Sequence, residues 1–277
     1  MFQDITADNY EQLHGEAFQD FGFTEAFVAV SGLEPASARW DEMSLPGTSL
    51  LEIGPGTGHT LAAAHRAGRS VTAVESSAVH RTFIKETWGI DAVYPDFSAL
   101  PRDRLFDAVL AINVIEHVYD VTGFLSAITK VLAPNGVFFM STANAESLEA
   151  SLLRTWWAMC KPPDHVSLPS PKGIARAAHA VGLRAERVWS TETPFEFPIS
   201  TVVAARDWTR ARRGRSIAAH DASSAEDSAG SLDAASKARL TRFMSGSARF
   251  DPTSRLLGAL GRAGSVKARL RPDNSRA

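Results

Sequence analysis

A glycine-rich turn constrains this chain more than any other stretch of its sequence. Residues 50–58 read LLEIGPGTG and join a predicted strand, residues 49–53, to an amphipathic helix that begins at His59. Glycines at such a turn let the backbone bend sharply and let a ligand approach the helix N-terminus. The spacing is G-x-G-x-G with Pro55 inside it, unlike the G-x-G-x-x-G of dinucleotide sites. We predict a nucleotide-type cofactor other than a dinucleotide; the alternative is a simple tight turn.

A glutamate stands at the expected tip of the second strand. Residues 69–74 read RSVTAV, and Glu75 follows them, seventeen residues past Gly58. In a doubly wound sheet, an acid at this place can accept hydrogen bonds from both ribose hydroxyls of a bound nucleoside. The alternative is a strand-end acid that faces solvent.

Polar residues also follow the next two predicted strands. After residues 90–94 come Asp96 and Phe97, a carboxylate and an aromatic face that together suit an adenine ring. Residues 106–112 are almost wholly apolar, as in a strand buried on both faces of a parallel sheet, and Asn113 follows them. Polar residues thus recur at the carboxyl ends of successive strands, where doubly wound sheets bind ligands.

Composition narrows the classes of protein and partner. The chain has 277 residues, 44% of them hydrophobic, which suits one sizeable α/β domain. A formal net charge of −2 gives no broad basic field, so we expect no nucleic-acid partner. The single cysteine, Cys160, excludes an internal disulfide framework. The polar, acidic start and the lack of an apolar run of roughly 20 residues predict a soluble cytoplasmic protein without a transmembrane segment.

Five motifs in register carry a resemblance to a known family. The chain resembles the class I S-adenosylmethionine-dependent methyltransferases from about Leu50 to Asn144, through LLEIGPGTG, VTAVESS, PDFSAL, FDAVLAINVIEHVYD and VLAPNGVFFMSTAN. The EHV triplet and the later PPDHVSLPSPKGIARAAHAVGL are most similar to its small-molecule branch, which includes ubiquinone-pathway O-methyltransferases. The resemblance implies S-adenosylmethionine as cofactor, S-adenosylhomocysteine as product and a small-molecule acceptor.

The same resemblance assigns roles to particular residues. It implies that the methionine end of the cofactor is shaped by Glu52, Gly54, Gly56 and Gly58. It implies that Glu75, with Ser76 beside it, holds the ribose, and that Asp96 and Phe97 hold adenine. Asn113 and the loop through His117 would then close over the sulfonium.

The family also implies an architecture for the whole chain. We expect an α/β fold: a Rossmann-like, seven-stranded, mostly parallel sheet with an antiparallel last strand, in three α/β/α layers. Apolar positions among acids in residues 1–46 predict an N-terminal helical cap, with helices that simply cover the open face of the sheet as the alternative; residues 47–277 would be the methyltransferase domain. The alternating residues 263–271 would be the last strand, which makes 200–262 a helical and flexible insertion between strands six and seven.

Two histidines are candidates for acid–base chemistry. Methyl transfer to a phenol or alcohol needs a base for the acceptor proton, and histidine is suited to that near neutral pH. His165 is the first candidate and His117 the second, each with a structural role as its alternative. Asp164 is not expected to orient His165, because adjacent side chains on a loop usually diverge. The remaining histidines are scattered along the chain, so we predict no metal.

Two further functions remain open at this point. A tRNA or other nucleic-acid methyltransferase can carry a similar EHV motif, although the near-neutral charge argues against it. A protein that binds S-adenosylmethionine without transferring its methyl group would keep the same loop and acids. The chain is also a candidate homodimer, and the acceptor atom, with oxygen favoured, is a choice by resemblance.

Overall fold

The computed structural model describes residues 43–191 except 158, 161 and 163, a few positions between 204 and 212, and residues 252–276. These residues form seven strands and six α-helices, which we number in chain order. The strands are β1 (Ser49–Ile53), β2 (Ser70–Val74), β3 (Val93–Tyr94), β4 (Phe106–Ile112), β5 (Leu132–Ala143), β6 (Leu183–Thr191) and β7 (Ser265–Pro272). The helices are α1 (His59–Arg66), α2 (Ala78–Trp88), α3 (Val121–Val131), α4 (Leu148–Leu153), α5 (Pro171–Ala180) and α6 (Pro252–Ala259).

The strands form one seven-stranded mixed sheet in the order β3-β2-β1-β4-β5-β7-β6. Strands β1 to β5 pair in parallel, whereas β7 runs antiparallel to both β5 and β6. The α/β class, the mostly parallel sheet and the antiparallel last strand are thereby confirmed. The strand order reverses between β1 and β4, and doubly wound sheets bind ligands beyond the carboxyl ends of the strands at such a point.

Apolar side chains from both faces of the sheet form two clusters. Along β1, Leu50 belongs to one cluster, and Leu51 and Ile53 belong to the other. Helices α1 and α2 contribute to the cluster of Leu50, and α3 and α5 to the cluster of Leu51. Strands buried on both faces read as near-continuous apolar runs, which is why the segments of β1 and β4 are so apolar.

Strand β5 differs from its predicted extent. The sequence Pro134-Asn135-Gly136 predicts a turn that separates a helix from a strand beginning at residue 137, yet β5 begins at Leu132. Phe106 of β4 pairs with Leu132 and Ala108 pairs with Val137, so a bulge of β5 holds the turn residues between them. A Cβ on Gly136 would lie 3.0 Å from the carbonyl oxygen of Phe106, so glycine permits this close approach.

Two predicted regions lie almost wholly outside the described residues. These are the N-terminal cap, residues 1–46, and the insertion, residues 200–262, of which α6 is the main described part. Among the described helices, none combines the length and the apolar character needed to cross a bilayer.

Candidate functional site

The glycine-rich turn leaves β1 with three residues in left-handed conformations. Gly54, Gly56 and Gly58 have φ of 60°, 56° and 75°. A Cβ on Gly54 would lie 2.8 Å from Val114, and a Cβ on Gly58 would lie 2.9 Å from Ile84. A Cβ on Gly56 would meet nothing within 4 Å. The turn is therefore packed against protein at its two ends and open at its centre, as expected for a ligand cradle.

Glu75 is bonded to this turn. Its Oε2 accepts a hydrogen bond of 3.0 Å from the Gly56 amide, and its Oε1 accepts one of 2.9 Å from the Ser77 amide. The residue is only 6% exposed, so the alternative of a solvated strand-end acid is wrong. A carboxylate oxygen can accept more than one hydrogen bond, so Glu75 can serve the turn and a ribose together.

The predicted adenine-side residues follow β3. Oδ1 of Asp96 accepts bonds of 2.7 Å from the Ser98 amide and 3.1 Å from the Ala99 amide, and so caps the 3₁₀-helix Phe97–Ala99. Bonding to Ser98 lowers the pKa of Asp96 and keeps it ionised. Phe97 packs edge-on against Phe124 with ring centres 6.3 Å apart. Asp96 thus already has a structural task, while Phe97 remains partly exposed.

Three other predicted cofactor residues lie on or next to the central strands. Glu52 lies in β1 and is 4% exposed, whereas Ser76, just after Glu75, is exposed. Asn113 directly follows β4 with a φ of 54°, and its amide donates to the carbonyl of Ser141 over 2.8 Å. The loop after β4 packs against the glycine turn, because the side chain of Val114 lies where a Cβ on Gly54 would be.

The loop after β4 meets a second loop that carries His165. Both the Val166 and Ser167 amides donate to the Glu116 carbonyl, over 2.8 and 3.0 Å. The hydroxyl of Ser167 donates to the carbonyl of Val118 over 2.7 Å. The Glu116 carboxylate is buried and accepts a bond of 2.6 Å from the hydroxyl of Thr142 on β5. These bonds fix both histidine-bearing loops at the carboxyl ends of β4 and β5.

Asp164 lies between the two candidate histidines. Its Oδ1 is 3.3 Å from Nδ1 of His117, and its Oδ2 is 3.6 Å from Nε2 of His165. The two imidazole rings meet edge to face with centres 4.9 Å apart. The expectation that Asp164 would point away from His165 is therefore wrong. The loop turns so that the Asp164 carbonyl also lies 3.0 Å from Nδ1 of His117.

The backbone selects the protonated nitrogen of His165. Its Nδ1 lies 2.8 Å from the Met159 carbonyl, which can only accept, so Nδ1 carries the hydrogen of the neutral ring. Nε2 is then left as the acceptor, facing Asp164. A proton taken up at Nε2 would form an ion pair with that carboxylate.

Their surroundings shift the pKa values of the two histidines apart. Burial and the nearby His117 lower the pKa of His165 below 6.5, despite the opposing influence of Met159 and Asp164. Burial also acts to lower the pKa of His117, but hydrogen bonding to Asp164 and the charge of its carboxylate outweigh burial and raise it. At neutral pH, His165 is therefore the ring that is more fully deprotonated and available to take a proton, whereas His117 is more readily protonated.

The same histidines lie near a buried carboxylate. Glu116, His117 and His165 each offer a ligand atom, and these atoms lie within 4.8 Å of one another. Imidazole nitrogens and a carboxylate can share a transition-metal ion. Histidines scattered along the sequence predict no metal, yet the fold brings two of them together in this group.

Comparison with known proteins agrees with this geometry. A family model described as a methyltransferase domain matches residues 28–188, more than half of the chain. The ubiquinone biosynthesis O-methyltransferase of Methylocella silvestris is 31% identical over 53% of this chain and 62% of its own length. That of Paramagnetospirillum magneticum is 36% identical over 35% of this chain and 41% of its own. The chain thus spans about two fifths to three fifths of these relatives.

Solved structures share the fold at low sequence identity. Geranyl diphosphate C-methyltransferase from Streptomyces coelicolor A3(2), solved with Mg²⁺, geranyl diphosphate and S-adenosylhomocysteine, has a TM-score of 0.58 at 16% identity, covering 97% of this chain and 100% of its own. A SAM-dependent methyltransferase from Archaeoglobus fulgidus has a TM-score of 0.55 at 14% identity, covering 91% and 99%. At such identity the likeness shows the fold. Together with the family match, it confirms the resemblance read from the motifs: this chain belongs to the methyltransferase-domain family.

Proposed function

We propose that this protein transfers a methyl group from S-adenosylmethionine to a small-molecule acceptor, with oxygen as the favoured acceptor atom. One observation carries the proposal above all: a buried Glu75 bonded to Gly56 of the open turn. The His117–Asp164–His165 group supports the choice of oxygen, since a hydroxyl acceptor must lose a proton.

The cofactor would lie across the carboxyl ends of β1, β2 and β4. Glu75 would accept from the ribose hydroxyls, and the open centre of the turn at Gly56 leaves room for the ligand. Bound S-adenosylmethionine would supply an electrophilic methyl group on a sulfonium. The remaining predicted contacts of this seat are Glu52, Gly54, Gly58, Ser76, Asp96, Phe97 and Asn113.

The protein's own task in the reaction is to orient the acceptor and to take its proton. Orientation of two reactants in a dry site supplies much of the acceleration of a displacement reaction. Nε2 of His165 would take the hydroxyl proton as the new oxygen–carbon bond forms, and Asp164 would stabilise the imidazolium. His117 would hold Asp164 in place through its Nδ1.

The finer assignments rest on composition and resemblance. The net charge of −2 supports a small-molecule acceptor over a nucleic acid. The single cysteine is consistent with a cytoplasmic location, and that location and a homodimer stay predictions. A protein that only binds S-adenosylmethionine would need Glu75 but not the histidine group, so mutation of each separates the two functions.

The test is methyl transfer from labelled S-adenosylmethionine to a panel of phenols, catechols, amines and carbon acids. We expect turnover with hydroxyl acceptors, and a fall of about 10²- to 10⁴-fold for His165→Gln with cofactor affinity kept within about twofold. His65→Gln, an exposed histidine of α1, is the matched control and should match wild type. Turnover unchanged in His165→Gln would refute the role of His165, and loss of cofactor affinity equal to that of Glu75→Ala would refute the division of roles.

A further inference from the structure

One stripe of helix α2 lies behind the cofactor turn. His80, Ile84 and Trp88 are spaced four residues apart and therefore share a face of the helix. His80 is 6% exposed and Ile84 is fully buried. The stripe runs from the N-terminal turn of α2, just after Glu75, to its last residue.

Each member of the stripe lies next to a different part of the candidate cofactor seat. Nδ1 of His80 is 3.8 Å from Oε1 of Glu75. Ile84 packs where a Cβ on Gly58 would lie, at 2.9 Å. The indole Nε1 of Trp88 donates a hydrogen bond of 2.7 Å to the carbonyl of Thr57.

Trp88 is itself held by its neighbours. The ring of His59 lies edge-on to it with centres 5.2 Å apart, and Phe83 does so at 6.4 Å. The guanidinium of Arg66 lies over the indole, 5.2 Å from its centre. An indole packed on several sides directs its N–H along one line, so the bond to Thr57 has a fixed direction.

Hydrogen bonds thus hold the turn from two sides. On the ligand side, Glu75 accepts from the amide of Gly56; on the helix side, Trp88 donates to the carbonyl of Thr57, the next residue. A turn that is ordered beforehand costs less conformational entropy on binding, which raises affinity without adding a contact.

We propose that Trp88 is a positioning residue for the cofactor: through the Thr57 carbonyl it fixes the glycine turn in the shape that receives S-adenosylmethionine. This inference rests on the proposed function. It predicts an effect on cofactor affinity and on the KM for cofactor, and none on the chemical step once the site is filled.

The test is Trp88→Phe, which keeps an aromatic ring but cannot donate the hydrogen bond. We expect the Kd for both S-adenosylmethionine and S-adenosylhomocysteine, and the KM for the former, to rise about three- to tenfold, the usual effect of one lost hydrogen bond. The kcat at saturating cofactor should change less than about twofold. The matched control is Trp189→Phe, a partly buried tryptophan of β6 that packs on Phe139, which should leave all constants unchanged.

Amide hydrogen exchange distinguishes a local loosening of the glycine turn from a general loss of structure in the variant. In the cofactor-free protein, Trp88→Phe should speed exchange of the Gly58 amide, which donates to Pro55 within the turn, without changing amides of β2. If that variant does not fold, Trp88→Leu, which also removes the hydrogen-bond donor, gives the same comparison. An unchanged Kd with unchanged exchange, while Glu75→Ala still loses binding, overturns the inference and leaves the proposed function standing. A wild type that binds no cofactor overturns the proposed function itself.

Discussion

At the scale of single residues, the carboxylate of Asp164 decides how the two histidines differ. It lies within 3.6 Å of both rings, yet the pKa of His117 rises and that of His165 falls. The difference arises because His117 is hydrogen-bonded to Asp164 through both side chain and backbone, whereas His165 is buried beside His117. The sequence predicted both histidines as candidates but gave Asp164 the wrong direction, because side-chain directions of loop neighbours depend on backbone angles that a sequence does not show.

Replacement of Asp164 by asparagine should shift the pH dependence of turnover. The base must be neutral, so the rate falls on the acid side as His165 becomes protonated. The Asp164 charge acts to raise the pKa of His165 and the charge of His117 acts to lower it, so the two must be separated. In a His117→Gln background, Asp164→Asn should move this acid limb to lower pH. It should also lower the plateau, because the imidazolium loses its partner. Profiles of kcat/KM against pH measure both, and a limb that moves to higher pH would contradict the assignment.

Asp164→Asn should also lower the stability of the folded protein, by an amount that decreases as pH rises. The folded-state pKa of His117 is raised above 6.5, so the stability gained from its protonation is fully present below pH 6.5 and is lost as pH rises through the folded value. The difference in Tm between wild type and Asp164→Asn should therefore be largest at about pH 5.5 and should shrink by about pH 8.5. Asp91→Asn, which alters an exposed acid paired with Lys85, should show little such trend. A difference that grows with pH would contradict the raised pKa.

At the scale of elements, local sequence predicts most strands, but it does not predict the length of a strand that is set by pairing with a neighbouring strand. The predicted ranges of β1 and β4 match the structure because each is an apolar run closed by clear polar or glycine signals. Strand β3 is only Val93–Tyr94, since it needs pairing to β2 and just two residues find partners. The stripe of His80, Ile84 and Trp88 is visible as a four-residue spacing, yet nothing in that spacing indicates that it faces the turn.

Alanine at Gly58 tests how the turn joins α1 to α2. Gly58→Ala must adopt a φ of 75° and also displace Ile84, whereas Gly68→Ala adopts a φ of 81° and meets nothing within 4 Å. The left-handed conformation costs a non-glycine residue roughly 1–2 kcal/mol, so both variants should lose about that much unfolding free energy. Gly58→Ala should lose roughly another 1–3 kcal/mol from overpacking. Denaturant unfolding measures the unfolding free energy of both variants. Equal losses would show that Ile84 moves aside for the added methyl group at little cost.

At the scale of the whole molecule, the sheet order brings distant residues to one edge. The glycine turn follows β1, Glu75 follows β2 and the loop of His117 follows β4, three adjacent strands of the sheet. Sequence motifs predicted this edge, because parallel strands present their carboxyl ends together. The position of His165 could not be derived in the same way, since its loop is fixed by backbone bonds to Glu116 that no motif encodes.

The fold alone does not select the acceptor. The solved structures that share it include a C-methyltransferase acting on geranyl diphosphate, while the sequence relatives are O-methyltransferases. A common sheet thus carries different chemistry through its loops. Under the proposed function, we expect the loops of His117 and His165 to make that choice in this chain.

The central claim is that Glu75 and the glycine turn bind S-adenosylmethionine. The most direct measurement is calorimetric titration of the protein with S-adenosylmethionine and S-adenosylhomocysteine, beside Glu75→Ala and with NAD as a negative ligand. We expect both ligands to bind the wild type at micromolar concentration, NAD not to bind, and Glu75→Ala to weaken binding at least about tenfold, as loss of a charged hydrogen-bond acceptor does. A wild type that binds neither ligand, or a Glu75→Ala variant that binds as tightly as wild type, would contradict the account.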